Sequence, residues 1–326
     1  AIEDAREIIA DSIGAAKSNE IYFTGGGSES DNWALKSAAF GLRDKGNHII
    51  TTKIEHHAIL NTCAYLERNG FEVTYLDVDS EGFVSLEDVK NAITDKTILI
   101  SVMFANNEIG TIEPLAEISK IAREKNILFH TDAVQAIGNI KFKIKDIGVD
   151  MLSLSGHKLG APKGVGVLYL REGIDLDNCL DGGEQERGRR ASTENLASIV
   201  GLARAMEDAY NNIEDYSSYT RDLRDYTIEK LLNIDGIILN GPREKRLPGN
   251  INITLKNTKP QTMVQYLDMF DICVSSGSAC AAGSINPSHV LRAIGRSEED
   301  SLSMLRLSLN HENTKEECDY VVEKIN

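Results

Sequence analysis

Two stretches decide how this chain folds: Ile127-Leu128-Phe129-His130-Thr131-Asp132-Ala133-Val134-Gln135 and Met151-Leu152-Ser153-Leu154-Ser155-Gly156-His157-Lys158. Each opens as an apolar β-rich run and ends on polar side chains, so strands are expected at Ile127 to Thr131 and Met151 to Ser155. Asp132 and Lys158 then follow successive strand ends. The same pattern extends in both directions. A strand from Glu20 to Thr24 meets Gly25-Gly26-Gly27 and a helix through Trp33, Leu35 and Ala38. A strand from His48 to Thr52 precedes a helix from Ala58 to Asn69. Phe71 to Val78, Ile98 to Phe104 and Gly166 to Leu170 read as further strands, and Pro114 suits the first turn of a helix ending near Lys125. Strands separated by helices imply right-handed βαβ units and a mainly parallel sheet, with ligands gathering at the carboxyl ends of its strands.

After Ser198 the texture changes. A long helix, Ile199 to Leu232, leads to a smaller set of segments at Asn250 to Leu255, Thr262 to Phe270, Ile272 to Ser276 and Met304 to Leu309. The expected organisation is a large α/β domain over 1–210 and a small α+β domain over 211–326. A chain of 326 residues, 41% hydrophobic, has core enough for both.

A formal net charge of -15 disfavours nucleic acid and anionic lipid, which need clustered Lys and Arg. No apolar run reaches the roughly 18 residues of a membrane span. Ala1 to Arg6 reads as an acidic amphipathic helix and not a signal peptide. The chain starts without Met inside that helix, so a further upstream segment is expected. The five cysteines, Cys63, Cys179, Cys273, Cys280 and Cys318, are odd in number. None is paired at zinc or thioredoxin-like spacing, so free thiols in a reducing cytoplasm and no metal are expected.

Several polar residues sit where chemistry could use them. Gly25-Gly26-Gly27-Ser28 could present a helix start to a phosphate, or be a turn with Ser28 as N-cap. Asp132 could be a cap, or the carboxylate that keeps a pyridine nitrogen protonated, with Gln135 facing the same ring. Lys158 could sit in solvent, or form a Schiff base from a desolvated pocket. His56 could stack on an aromatic cofactor or face water, and Asn107 could donate to a ligand or serve a turn. The small-residue loop Val274 to Ser284 carries one thiol, Cys280. An exposed thiol in such a loop is expected to react, whereas Cys63 and Cys273 are expected in the core.

Six ordered motifs are Ile54-Glu55-His56-His57-Ala58, Asn106-Asn107-Glu108-Ile109-Gly110, His130 to Gln135, Ser155 to Lys158, Gln185-Glu186-Arg187-Gly188 and Ser276 to Cys280. With them the whole chain resembles the cysteine desulfurases of the class V aminotransferase group, a branch of fold-type I pyridoxal-phosphate (PLP) enzymes. The resemblance implies a seven-stranded sheet in the large domain. It also implies sulfurtransferase activity that converts L-cysteine to L-alanine and leaves a persulfide on Cys280. Lys158 would hold the PLP and move the substrate's α-proton, Asp132 would pair with the ring nitrogen, and Gln135 would bond the phenolic oxygen. His56 would stack on the ring. Gly27, Ser28, Ser155 and His157 would cradle the phosphate, joined by Thr193 from the other subunit of a homodimer. Asn107 and Arg306 would hold the substrate carboxylate. The long loop from Cys280 to Pro287 resembles the branch that passes sulfur to a protein acceptor such as an iron–sulfur scaffold.

The chain departs from that family in five places. A Leu-Asp-Asn-Ala-Ala-Thr-Thr-like opening is absent, and Ser28 stands where Thr is usual. Glu184 replaces a Gly and is expected to point outward; Ala191-Ser192 and Asn310-His311 replace Ser-Gly and Gly-Arg. Transamination, selenocysteine lysis and a non-catalytic scaffold are the competing readings. Transamination needs no thiol, and the yields of alanine and sulfide separate the others.

Overall fold

The computed structural model describes the chain except residues 257, 259 and 277–286. It divides into two compact units, Ala1–Asp77, Val84–Phe104 and Glu113–Ile213 forming one, and Val78–Phe83, Ala105–Ile112 and Glu214–Asn326 the other. The first unit contains α1 (Ile2–Ile13), β1 (Ile21–Thr24), α2 (Gly27–Gly41), β2 (His48–Thr52), α3 (His57–Arg68) and β3 (Glu72–Leu76). It continues with α4 (Leu86–Ala92), β4 (Thr97–Ser101), α5 (Leu115–Glu124), β5 (Leu128–Asp132), α6 (Ile144–Ile147), β6 (Met151–Ser155) and β7 (Gly166–Leu170). Helix α7 (Leu196–Leu232) closes the unit and passes into the second after Ile213.

The strands form one seven-stranded sheet in the order β1-β7-β6-β5-β4-β2-β3. From β6 across to β3 all neighbours are parallel. Strand β7 runs antiparallel to both β6 and β1. Between β6 and β7 lies only a single 3-10 turn, Gly156–Leu159, too short for a helical crossover, so β7 returns beside β6. Two antiparallel steps restore direction, and β1 therefore ends at the same edge as β2, β4, β5 and β6.

Strands β2, β4, β6 and β7 are buried along their whole length, which is why they read as near-continuous apolar or small-residue runs. Trp33 and Leu35 of α2 pack with Ile49, Leu99 and Leu168 in one core. Each such side chain contributes about 1.5–3 kcal/mol by leaving water.

The second unit carries a three-stranded antiparallel sheet, β10-β9-β8, from β8 (Ile237–Leu239), β9 (Asn250–Leu255) and β10 (Met304–Ser308). Around it are α8 (Pro260–Asp268), α9 (His289–Ala293), α10 (Glu298–Leu302) and α11 (Lys315–Ile325). Ile228, Leu231, Ile251, Ile253 and Leu305 form its core. Helix α11 starts with a capping box, the Thr314 hydroxyl accepting from the Glu317 N–H at 3.2 Å and the Glu317 carboxylate from the Thr314 N–H at 2.9 Å.

Three features differ from expectation. Strand β8 was not foreseen, because three uniformly half-buried residues show no alternation. The expected strand Ile272 to Ser276 shrinks to one bridge, Ser275 with Arg306, and Cys273 is exposed and not core. The segment 105–112 clusters with the second unit, where Ala105 pairs with Ile112 and Thr111 with Arg246. The amides of Asn250 and Asn252 donate to the Glu108 carbonyl at 2.9 and 3.0 Å.

Candidate active site

At the end of β1 the chain turns through three glycines into α2. Gly26 has φ +151°, outside the range that side-chain-bearing residues favour. At Gly27 an added Cβ would lie 2.7 Å from Val134 Cγ2, so only glycine lets α2 start this close to the turn after β5. The Thr24 and Ser30 hydroxyls, 2.8 Å apart, brace the turn. The first N–H groups of α2 have no acceptor within the helix and sit at its positive dipole end, which suits an anion. Ser28 is exposed at this start.

At the end of β5, Asp132 is buried and its Oδ1 accepts the Val134 N–H at 2.9 Å. Burial pushes the carboxyl up to about 6, against the pull of that N–H and of the Lys158 charge. Gln135 is half-buried in the same turn. At the end of β6 the buried Ser155 hydroxyl lies 2.7 Å from Nδ1 of His157, and His157 and Lys158 are exposed in the following turn. Burial lowers the His157 pKa, and the charges of Lys158 and Lys163 lower it further. After β2, His56 caps α3, its Nδ1 accepting the Ala58 N–H at 3.1 Å. That bond assigns the proton of the neutral ring to Nε2.

One sheet edge of the first unit thus brings together Gly27, Ser28, His56, Asp132, Gln135, Ser155, His157 and Lys158. Thr193 is exposed in the same unit and lines a cavity of about 230 Å³ with Thr24, Gly25, Glu186 and Arg190. Asn107 and Arg306 lie in the second unit, where Arg306 Nη1 donates to the Asn107 carbonyl at 3.0 Å. Cys280 lies outside the described residues.

Other groups at this edge escaped the sequence reading. Glu55 is buried, its Oε1 accepting from the Thr52 hydroxyl at 2.8 Å and the Met103 N–H at 2.9 Å, and burial pushes it up to about 8. His130 is held between the Ser101 and Ser153 hydroxyls, both at 2.9 Å, and burial takes it down to about 3, so the ring is neutral. Glu186 takes Arg6 in a two-pronged pair at 2.8 and 2.9 Å and accepts the Phe23 N–H at 2.9 Å. Glu186 and Arg187 both adopt left-handed backbone, φ 47° and 59°, a strained pair for residues other than glycine. Glu184 is exposed, as expected. Motif membership was the only available signal for Glu55, His130 and Glu186; Asp31, in the same region, had none.

The donor set fits PLP: a helix start with two hydroxyls for its phosphate, an amine for its aldehyde, and a buried carboxylate for its ring nitrogen. The close packing at Gly27 agrees with a backbone shaped for near approach of a ligand.

A glycine turn at a helix start, a lysine and a buried carboxylate stand on one edge of a mainly parallel sheet, within a fold of the fold-type I class. The chain belongs to the aminotransferase class V family, whose model matches residues 1–321. It is 54% identical over 326 residues to a protein named cysteine desulfurase IscS from Clostridium botulinum strain Hall, covering 99% of this chain and 82% of that one. A protein of the same name from Methanosarcina thermophila is 53% identical over 325 residues, covering 100% and 80%. Among solved structures, a NifS-like protein superposes with a TM-score of 0.93 at 39% identity, covering 99% of this chain and 86% of its own. SspA in complex with cysteine gives 0.82 at 39%, covering 96% and 87%.

Proposed function

We propose that this protein is a cysteine desulfurase that binds PLP at the first unit's sheet edge and moves sulfur from L-cysteine to Cys280, releasing L-alanine. One observation carries the reading: Lys158, Asp132, His56 and the Gly27 helix start converge on the carboxyl ends of β1, β2, β5 and β6. The names of the relatives, and the cysteine bound to SspA, support the substrate.

Lys158 would hold the cofactor by its aldehyde and carry the α-proton on Nζ. Asp132 would hold the ring nitrogen and Gln135 the phenolic oxygen, and His56 would lie against the ring with its Nε2 proton available. Gly27, Ser28, Ser155 and His157 would hold the phosphate, with Thr193 contributed to the partner protomer of a homodimer. When bound, PLP supplies an electron-withdrawing ring that drains charge from the substrate's carbons. Asn107 and Arg306 orient the substrate carboxylate, for which a guanidinium is suited. The Cys280 thiolate forms an S–S bond to the substrate sulfur as the substrate's C–S bond breaks. The released carbon skeleton takes up a proton and leaves as alanine. A protein acceptor, such as an iron–sulfur scaffold, then takes the sulfur in a reducing cytoplasm. The division into a cofactor domain over 1–210 and a small domain over 211–326 belongs to the same proposal.

The test is a paired assay of alanine and sulfide from L-cysteine with PLP and a thiol reductant. Equal yields are expected. Cys280→Ala should keep the bound cofactor and lose sulfur release, and Lys158→Ala should lose the absorbance of lysine-linked cofactor. Alanine without a Cys280 requirement would sink the nucleophile assignment.

A further inference from the structure

Asp31 lies one turn into α2 and is 1% exposed. Its carboxyl has ligand atoms within 4.8 Å of the Asp132 carboxyl and the His56 ring nitrogens. Oδ1 lies 3.7 Å from His130 Nε2 and has no hydrogen-bond partner, while the Ser153 hydroxyl bonds the carboxyl. His130 is neutral with both ring nitrogens on serine hydroxyls, Glu55 faces Asp31 as a second acid, and the Lys158 charge acts on Asp132. Burial pushes Asp31 well above the ordinary carboxylate range; the Asp132 charge adds to this, Ser153 opposes it, and Glu55 adds again.

Two carboxylates this close in a buried space cannot both ionise. The compensations are unequal. Asp132 has the Val134 N–H and the pull of Lys158, whereas Asp31 has one hydroxyl. The proton of the pair therefore belongs to Asp31. We propose that Asp31 is a positioning residue that stays protonated beside Asp132, so that the ring-nitrogen end of the site carries one negative charge and that charge sits on Asp132. The inference rests on the reading of this edge as the PLP site. Its chemical content is a neutral acid beside Asp132 that keeps a second negative charge away from the ring.

The experiment compares wild type, Asp31→Asn and Asp132→Asn in two readouts, PLP affinity and the melting midpoint of the cofactor-free protein against pH. Asn has the shape of the protonated acid, so Asp31→Asn should bind PLP within about threefold of wild type, while Asp132→Asn should lose at least about tenfold. A raised folded-state carboxyl pKa costs stability as pH climbs from the unfolded value to the folded one. The midpoint of Asp31→Asn should therefore gain on wild type as pH rises above the unfolded carboxylate value. Equal losses of affinity in the two variants, or parallel midpoint curves, would overturn the proposal. If Asp31→Asn does not fold, wild type labelled with ¹³C in its aspartate carboxyls should show an acid that stays protonated as pH rises through about 6, where Asp132 ionises; none there would overturn it. A wild type that shows this acid but binds no PLP would sink the cofactor reading and uphold the proton assignment.

Discussion

Gly27 shows how one missing methyl can define a binding site. A Cβ there would meet Val134 Cγ2 at 2.7 Å, and a β-branched valine has little freedom to yield. Gly27→Ala should weaken PLP by at least about tenfold by tilting the start of α2. Adding Val134→Ala should restore most of that loss, and equilibrium titration of the two variants decides it. Glu55 carries a pH signature. Its folded value of about 8 lies above the unfolded carboxyl value, so its ionisation cost is absent at low pH and grows as pH rises through that window. Glu55→Gln can still accept from Thr52 and Met103, so its melting midpoint should match wild type near pH 4 and exceed it above pH 8. A constant offset across the range would show that burial does not hold that proton.

Strand ends were legible because a strand buried on both faces must read as an apolar run, and the first polar residue after it marks the edge. Thus His48–Thr52, Met151–Ser155 and Gly166–Leu170 fall where the sequence placed them. The reversal of β7 was not legible, since a strand's direction depends on the length of its connection and not on its side chains. Nor were Asp31 and Glu55, because a buried acid looks the same in sequence as a solvated one. Cys273 misled because its flanking residues promise a strand that the structure reduces to a bridge. The segment 185–188 belongs at this scale too. Glu186 ties α1, through Arg6, to the backbone of β1, and so braces the turn that leads to Thr193. Glu186→Ala leaves the buried Arg6 guanidinium with only the Ile21 carbonyl and the exposed Glu3 carboxylate, and should cost up to about 3–5 kcal/mol, seen as a drop in the thermal transition. Arg6→Met with Glu186→Leu should cost less than Glu186→Ala alone, apart from the orphaned Phe23 N–H.

At the scale of the molecule, the first unit exposes Leu180 (49%), Leu196 (49%) and Val200 (42%), with Leu196 three residues from Thr193. An apolar surface beside a residue proposed to serve a second active site is where the protomers of a homodimer should meet. Leu196→Asp should give a monomer by sedimentation and bind PLP more weakly, since Thr193 would no longer reach its neighbour. A dimer with unchanged affinity would move the interface elsewhere. Cys273 governs what a sulfhydryl census of the folded enzyme can mean. Burial pushes Cys63 up to about 12 and Cys179 up to about 11, and Cys318 is buried, so these three should stay dark to a maleimide dye at neutral pH. Cys273 is open to solvent and should take the dye, as should Cys280 if it is the proposed nucleophile. A persulfide alkylates as a thiol does, so a protomer fully charged with sulfur would still report about two labels, of which a reductant added afterwards releases only the one held through an S–S bond. Persulfide stoichiometry would read true only from that released label, and a Cys273→Ser blank should lower the total while leaving the released label unchanged.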